Sequence, residues 1–206
     1  MQTMSQRKGK NIVSYLDAQE LAEVLNQVLI RHPELRDEAN ILANDLLNGI
    51  SVEAVSEEVC DMILGVGLEE LGKRAGKQPW GYVEPGEAAW EVLEESIEGR
   101  LNDMKRRTQV GLERSAEQLC QGIVIGLYNA RASKCDGALS WAPDFAAEAA
   151  AQTVSNLIEL YPPNRRRAAA KRIIAGVEEH APEWLEMLYQ VAERVVSSRK
   201  KVKKGR

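Results

Sequence analysis

Apolar residues recur at spacings of three and four along almost the whole chain, in runs that stop at Pro, Gly or Asn. Such runs fit the 3.6-residue period of a helix, not the alternation of a half-buried strand. Leu21, Val24, Leu25 and Val28 make one stripe, and Leu35, Ala39, Leu42 and Leu46 the next. Val52, Val55, Val59, Ile63 and Val66 make a third. A longer one runs through Trp90, Leu93, Ile97, Leu101 and Met104, continued by Leu112, Ala116, Leu119, Ile123 and Leu127. Aromatic residues make up only 5% of the 206 and Phe145 is the single phenylalanine, so the core must be built of Leu, Ile, Val and Ala. That suits helix packed on helix better than a β-sandwich. The expected fold is all-α: antiparallel helical hairpins in a short α-solenoid-like array or an irregular bundle of seven to eight helices.

The stops and caps divide the runs. Asp17 is placed to cap the first helix, which ends at Arg31-His32 because Pro33 disfavours a helical residue before it. Pro33 then opens the second helix, closed by Asn48-Gly49. Ser51 caps a third, which loses definition around Gly65 and Gly67. Residues 76–86, rich in Gly and Pro, read as the main loop, and residues 134–143 as a second. Between them, residues 87–132 read as one helix or two, with Thr108-Gln109-Val110-Gly111 the expected break. Asp144 is expected to cap the next helix, which ends before Pro162-Pro163. Asn164 is expected to cap an Arg- and Ala-rich helix, and a last one runs from Pro182 to about Ser198. His32-Pro33-Glu34-Leu35 and His180-Ala181-Pro182-Glu183-Trp184 echo each other, each turning one helix into another. Residues 13–198 thus read as one all-helical domain, after a disordered basic lead (1–12) and before a polybasic tail (199–206).

The pattern Leu21-x-x-Val24-Leu25 through His32-Pro33-Glu34-Leu35, followed by an aromatic loop and a long helix of Leu and Glu, resembles a known arrangement. It is similar to the helical region that accompanies SWIM zinc fingers in bacterial proteins of largely unknown role, over residues 15 to 160. The Cys-x-Cys and Cys-x-His pairs of the finger are absent, so its metal or nucleic-acid binding does not carry over. The resemblance implies a helical interaction module.

Net charge is −4, yet the first ten and last eight residues carry nine positive charges and no acid, which leaves −13 on the body between them. An acidic body suits a basic or mixed-charge partner and disfavours a duplex-binding face over most of its surface. Three cysteines (Cys60, Cys120, Cys135) with no Cys-x-x-Cys pair read as reduced thiols. There is no apolar leader and no stretch of 18 apolar residues, so no membrane association and a cytoplasmic setting are expected.

Catalytic chemistry finds few handles. The only histidines are His32 and His180, and the residues three before them are Leu29 and Val177, not the Glu of a di-iron motif. Neither has a nearby Cys or His to complete a zinc site. Both sit where a helix ends, a place that favours a cation. Cys60 and Cys120 fall on apolar stripes beside Val59 and Leu119, whereas Cys135 lies in a loop next to Lys134. Gly122-Ile123-Val124-Ile125-Gly126 lacks the preceding strand and remaining glycines of a phosphate loop. No catalytic residue, cofactor or metal is expected.

Two surfaces remain. Trp80, Tyr82 and Trp90 surround the first loop, Trp141 and Phe145 the second, and loop aromatics between rigid helices are common in protein-binding surfaces. The basic patch Arg165, Arg166, Arg167, Lys171 and Arg172, with Lys200, Lys201, Lys203 and Lys204 in the tail, could hold phosphates. The expected function is a non-enzymatic adaptor with a protein partner, with nucleic-acid association through the patch and tail as the alternative and self-association left open.

Overall fold

The computed structural model describes residues 12–79, 81–133 and 136–198. Among them are nine α-helices: α1 (Ala18–Arg31), α2 (Arg36–Asn48), α3 (Val52–Gly65), α4 (Leu68–Arg74), α5 (Pro85–Gln109), α6 (Glu113–Ala132), α7 (Phe145–Leu160), α8 (Pro163–Ala175) and α9 (Leu185–Ser197). The one sheet among the described residues is an antiparallel ribbon of β1 (Gly76–Gln78) and β2 (Gly81–Val83), with Gly76 opposite Val83. The protein is all-α. Where the sequence reads one body over residues 13–198, the fold divides into two compact units, residues 1–46 and 47–206. The basic lead through residue 11 and the tail from residue 199 lie outside the described residues.

In the first unit, Asp17 caps α1 as expected. Its side chain accepts from the Glu20 amide at 2.9 Å while Glu20 accepts from the Asp17 amide at 3.0 Å, a capping box. Pro33 opens a 3-10 turn, Pro33–Leu35, before α2 begins. No residue of α1 or α2 is buried.

In the second unit α6 is the centre. Twelve of its residues are buried, and it packs against α3, α5, α7 and α8. A linear array would bring each helix against its chain neighbours alone, so this unit is the irregular bundle of the two expected arrangements. The α3–α6 crossing is close because α6 presents Gly122 and Gly126 there. A Cβ on Gly126 would stand 2.6 Å from the Ser56 carbonyl oxygen, and one on Gly122 2.6 Å from Val55 Cβ.

The break in residues 87–132 falls where expected and has a specific form. Gly111 has φ +83°, the Leu112 amide donates to the Arg107 carbonyl at 2.9 Å and the Gly111 amide to Thr108 at 3.2 Å. These bonds make a Schellman motif, which needs a left-handed residue and so a glycine. Three local expectations are corrected. Gly76–Gln78 and Gly81–Val83 pair as a ribbon inside the expected loop. The Asp144 side chain makes no capping bond, because the 3-10 turn Ala138–Trp141 runs into α7 with Phe145 donating to the Ala142 carbonyl at 3.0 Å. Asn164 does not cap α8: Pro163, lacking an N–H, takes the first helical position instead.

Arg107, 7% exposed, holds the α5–α6 corner together. It donates to Asp103 at 3.0 Å, to the Ser115 hydroxyl at 2.7 Å and to the Leu47 carbonyl, which also accepts from Ser115 at 2.6 Å. Burial opposes ionisation of Asp103, but hydrogen bonds from Arg106 and Arg107 outweigh it and hold the carboxyl below its usual range. A depressed folded-state pKa adds stability above the unfolded value, about 4, and that stability is lost as pH falls through the folded one. Asp103→Asn is therefore expected to lower stability at pH 7 and to flatten its decline below about pH 4, read by urea unfolding at several pH values.

Candidate functional site

α5 is long enough to present two different faces. Ala88, Ala89, Val92, Leu93, Ile97 and Met104 are buried in the bundle. Glu91, Glu94, Glu95 and Glu98 recur at helical spacing on its exposed side. Pro85 starts the helix at a position where its missing N–H costs nothing. One turn later, half-buried Trp90 faces the beginning of α7. Its ring meets Phe145 edge to face, with centroids 5.1 Å apart and planes at 78°.

This pair marks one end of an open groove between α5 and α7, with a volume of about 660 Å³. Ile97, Leu101, Phe145 and Ala149 give it an apolar lining; Glu91, Glu94, Glu95, Glu98 and Glu148 stand along it, with Lys105 the one basic lining residue. Arg74 engages Glu95 through two hydrogen bonds of 2.7 and 2.5 Å, and this pairing lowers the Glu95 carboxyl below its usual range. Glu91 lies 4.0 Å from the same guanidinium, while Glu94, Glu98 and Glu148 face solvent beside apolar surface. Such a groove offers burial to apolar side chains and attraction to cationic ones.

The loop aromatics do not act as one cluster. Trp90 and Phe145 come together, but Phe145 is only 1% exposed and so forms the groove's structural end, correcting its expected place on a contact surface. Tyr82, on β2, is 66% exposed and Trp141 51%, and neither lines the groove. Trp80 lies outside the described residues. Trp184 is buried against Tyr128 at 5.0 Å, with the Arg131 guanidinium 5.5 Å from its ring centre.

The basic patch is engaged within the fold. Arg165 donates to both oxygens of Glu113, at 2.8 and 2.6 Å, and Arg167 lies 3.6 Å from Glu193. Arg172 donates to both oxygens of Glu117, at 2.9 and 2.5 Å; Glu117 is 5% exposed and also accepts from the Tyr161 hydroxyl at 2.8 Å. Burial, followed by the bond to Glu117, pushes the Tyr161 hydroxyl pKa up. Arg166 is 3% exposed, and its guanidinium donates to the carbonyls of Glu159, Tyr161 and Val195 at 3.1, 3.1 and 3.3 Å. The reading of Arg166 as a phosphate contact is thus corrected. It compensates the negative ends of α7 and α9. Lys171 is exposed, while Lys200, Lys201, Lys203 and Lys204 lie outside the described residues.

His32 Nδ1 lies 3.1 Å from a Glu34 carboxylate oxygen, and His180 is exposed just before the second proline turn. Cys120 is buried and Cys60 half-buried, and in both burial raises the thiol pKa, which disfavours a nucleophilic thiolate. Cys135 lies outside the described residues. Among the described residues no three His, Cys, Asp or Glu side chains group as metal ligands, and no helix is long and apolar enough to cross a membrane. The acidic wall of α5 was missed as a site in the sequence, although Glu91, Glu94, Glu95 and Glu98 flank the Trp90–Ile97–Leu101 stripe at matching spacing. No family model, no curated protein and no solved structure matches the chain.

Proposed function

We propose that this chain is a non-enzymatic adaptor whose α5–α7 groove receives a basic, amphipathic segment of a partner protein. The observation that carries the reading is the combination of an apolar groove lining, ended by Trp90 on Phe145, with an uneven rim of five carboxylates and one lysine. A helical peptide with apolar residues at i, i+3, i+4 and i+7 would bury them against the half-buried Trp90, Leu101 and Ala149 while its cations meet Glu94, Glu98 and Glu148. The acidic body supports the same preference by drawing cationic segments toward the protein over longer range. A nucleic-acid reading has less to rest on, since four of the five patch residues are committed to carboxylates or carbonyls.

The test uses an amphipathic peptide of about 18 residues made of Lys and Leu, with leucines at helical spacing. Calorimetric titration is expected to show binding that weakens with salt, and Glu94→Lys/Glu98→Lys is expected to lower affinity about tenfold, or 1.4 kcal/mol. Absence of binding at low salt, or equal binding by the charge-reversed variant, would contradict the groove.

A further inference from the structure

The first unit carries an apolar face that its own fold leaves open. Leu21, Val24, Leu25 and Val28 share one stripe of α1 and are 36–53% exposed; Leu35, Leu42 and Leu46 continue at 37–81%. Glu23 lies on the far side of α1 and Glu20 flanks the stripe one turn before Val24, so the stripe itself carries no charge. α1 packs on the turn Pro33–Leu35 and not along α2. Helices of 14 and 13 residues are marginal in water without tertiary packing.

The chain itself shows how such a turn looks when its helices are covered. The residue before proline has φ −128° and ψ 71° at His32, and φ −129° and ψ 54° at Ala181, and each proline opens a 3-10 turn. At the second turn α8 and α9 pack together and Trp184 and Leu188 are buried. Leu35, which stands where Trp184 does, is 37% exposed.

We propose that the α1–α2 face is a self-association surface, on which a second copy of this chain lays the same two helices about a two-fold axis. A two-fold axis sets this face against its own copy, where apolar stripe meets apolar stripe without pairing like charges, and four amphipathic helices can then close around one seam. The seven side chains present on the order of 500 Å² of apolar surface per copy. Two copies that covered all of it would bury about 1,000 Å², the lower bound for a specific interface and the size of a weak, reversible dimer. The proposal is independent of the α5–α7 groove, which involves other helices.

Sedimentation equilibrium of the full chain from about 1 to 100 µM tests it. The expected result is a dimer, with Leu25→Glu/Leu42→Glu giving the monomer mass while the thermal transition of the second unit persists. The milder Leu25→Ala/Leu42→Ala is expected to raise the dissociation constant at least about tenfold, so the outcome does not hang on one variant's folding. A monomer over the whole range would overturn the proposal, whether the face then covers itself on the same chain or awaits a different protein. Dimerisation that both variants leave intact would overturn it equally.

Discussion

Gly126→Ala is expected to cost about 3 kcal/mol of stability, and Gly126→Val to leave the second unit largely unfolded at 37 °C. The reason lies in what the new atom meets. A Cβ at Gly126 would lie 2.6 Å from the Ser56 carbonyl oxygen, 2.7 Å from Val59 Cβ and 3.0 Å from its Cγ1. None of these is the end of a flexible side chain, so α3 itself must move away from α6. Moving α3 loosens Val55, Val59 and Ile63, which are buried between the two helices. Gly99 supplies the control, because a Cβ there, in exposed mid-α5, meets nothing within 4 Å. Gly99→Ala is expected to stabilise by about 0.5–1 kcal/mol through backbone entropy alone. Urea unfolding of the two variants, read by far-UV circular dichroism, should therefore give shifts of opposite sign. A shift of the same sign and size would mean the α3–α6 crossing is not as close as described.

Arg166→Met is expected to destabilise by about 3 kcal/mol. A buried guanidinium is normally paired with a carboxylate, but Arg166 is 3% exposed and its bonds go to three carbonyls. Two of them, Glu159 and Tyr161, close α7; the third, Val195, belongs to the last turn of α9. Each helix end carries about half a negative charge, so one cation answers two ends at once. Methionine fills much of the volume and leaves all three carbonyls without that donor. Arg166→Lys keeps the charge but loses the planar fork, and is expected to recover only part of the loss. Equilibrium unfolding of the three proteins checks the order wild type, Lys, Met. Equal stability of the Lys and Met variants would show that the helix-end charges are not what Arg166 answers.

These two sites also show what could be read in the sequence. Helix starts at Asp17 and Ser51, the stop before Pro33 and the corner at Gly111 were legible because each depends on residues within a single turn. Arg166 looked like one member of a surface patch, since its partners lie on α7 and α9, and nothing within its own helix announces them. Glu117 was equally silent: its neighbours Ala116 and Leu119 read as core, while Arg172 and Tyr161 lie far along the chain. Gly122 and Gly126 lack the strand and further glycines of a phosphate loop, and their spacing of four is that of one helix face against another. The groove was half legible. Trp90 and Phe145 stand out as aromatics near the two loops, but their edge-to-face meeting follows from α5 packing on α7. The divergence of α1 and α2 was not legible, because their stripes look the same as those of helices that pair.

The direct test of the adaptor reading is hydrogen–deuterium exchange on the full chain with and without saturating Lys/Leu peptide. Protection is expected in α5 from Trp90 to Lys105 and in the first half of α7 from Phe145, with α8 unchanged. Protection confined to α8, or no change in α5 and α7 at a peptide concentration that calorimetry shows to be saturating, would contradict it.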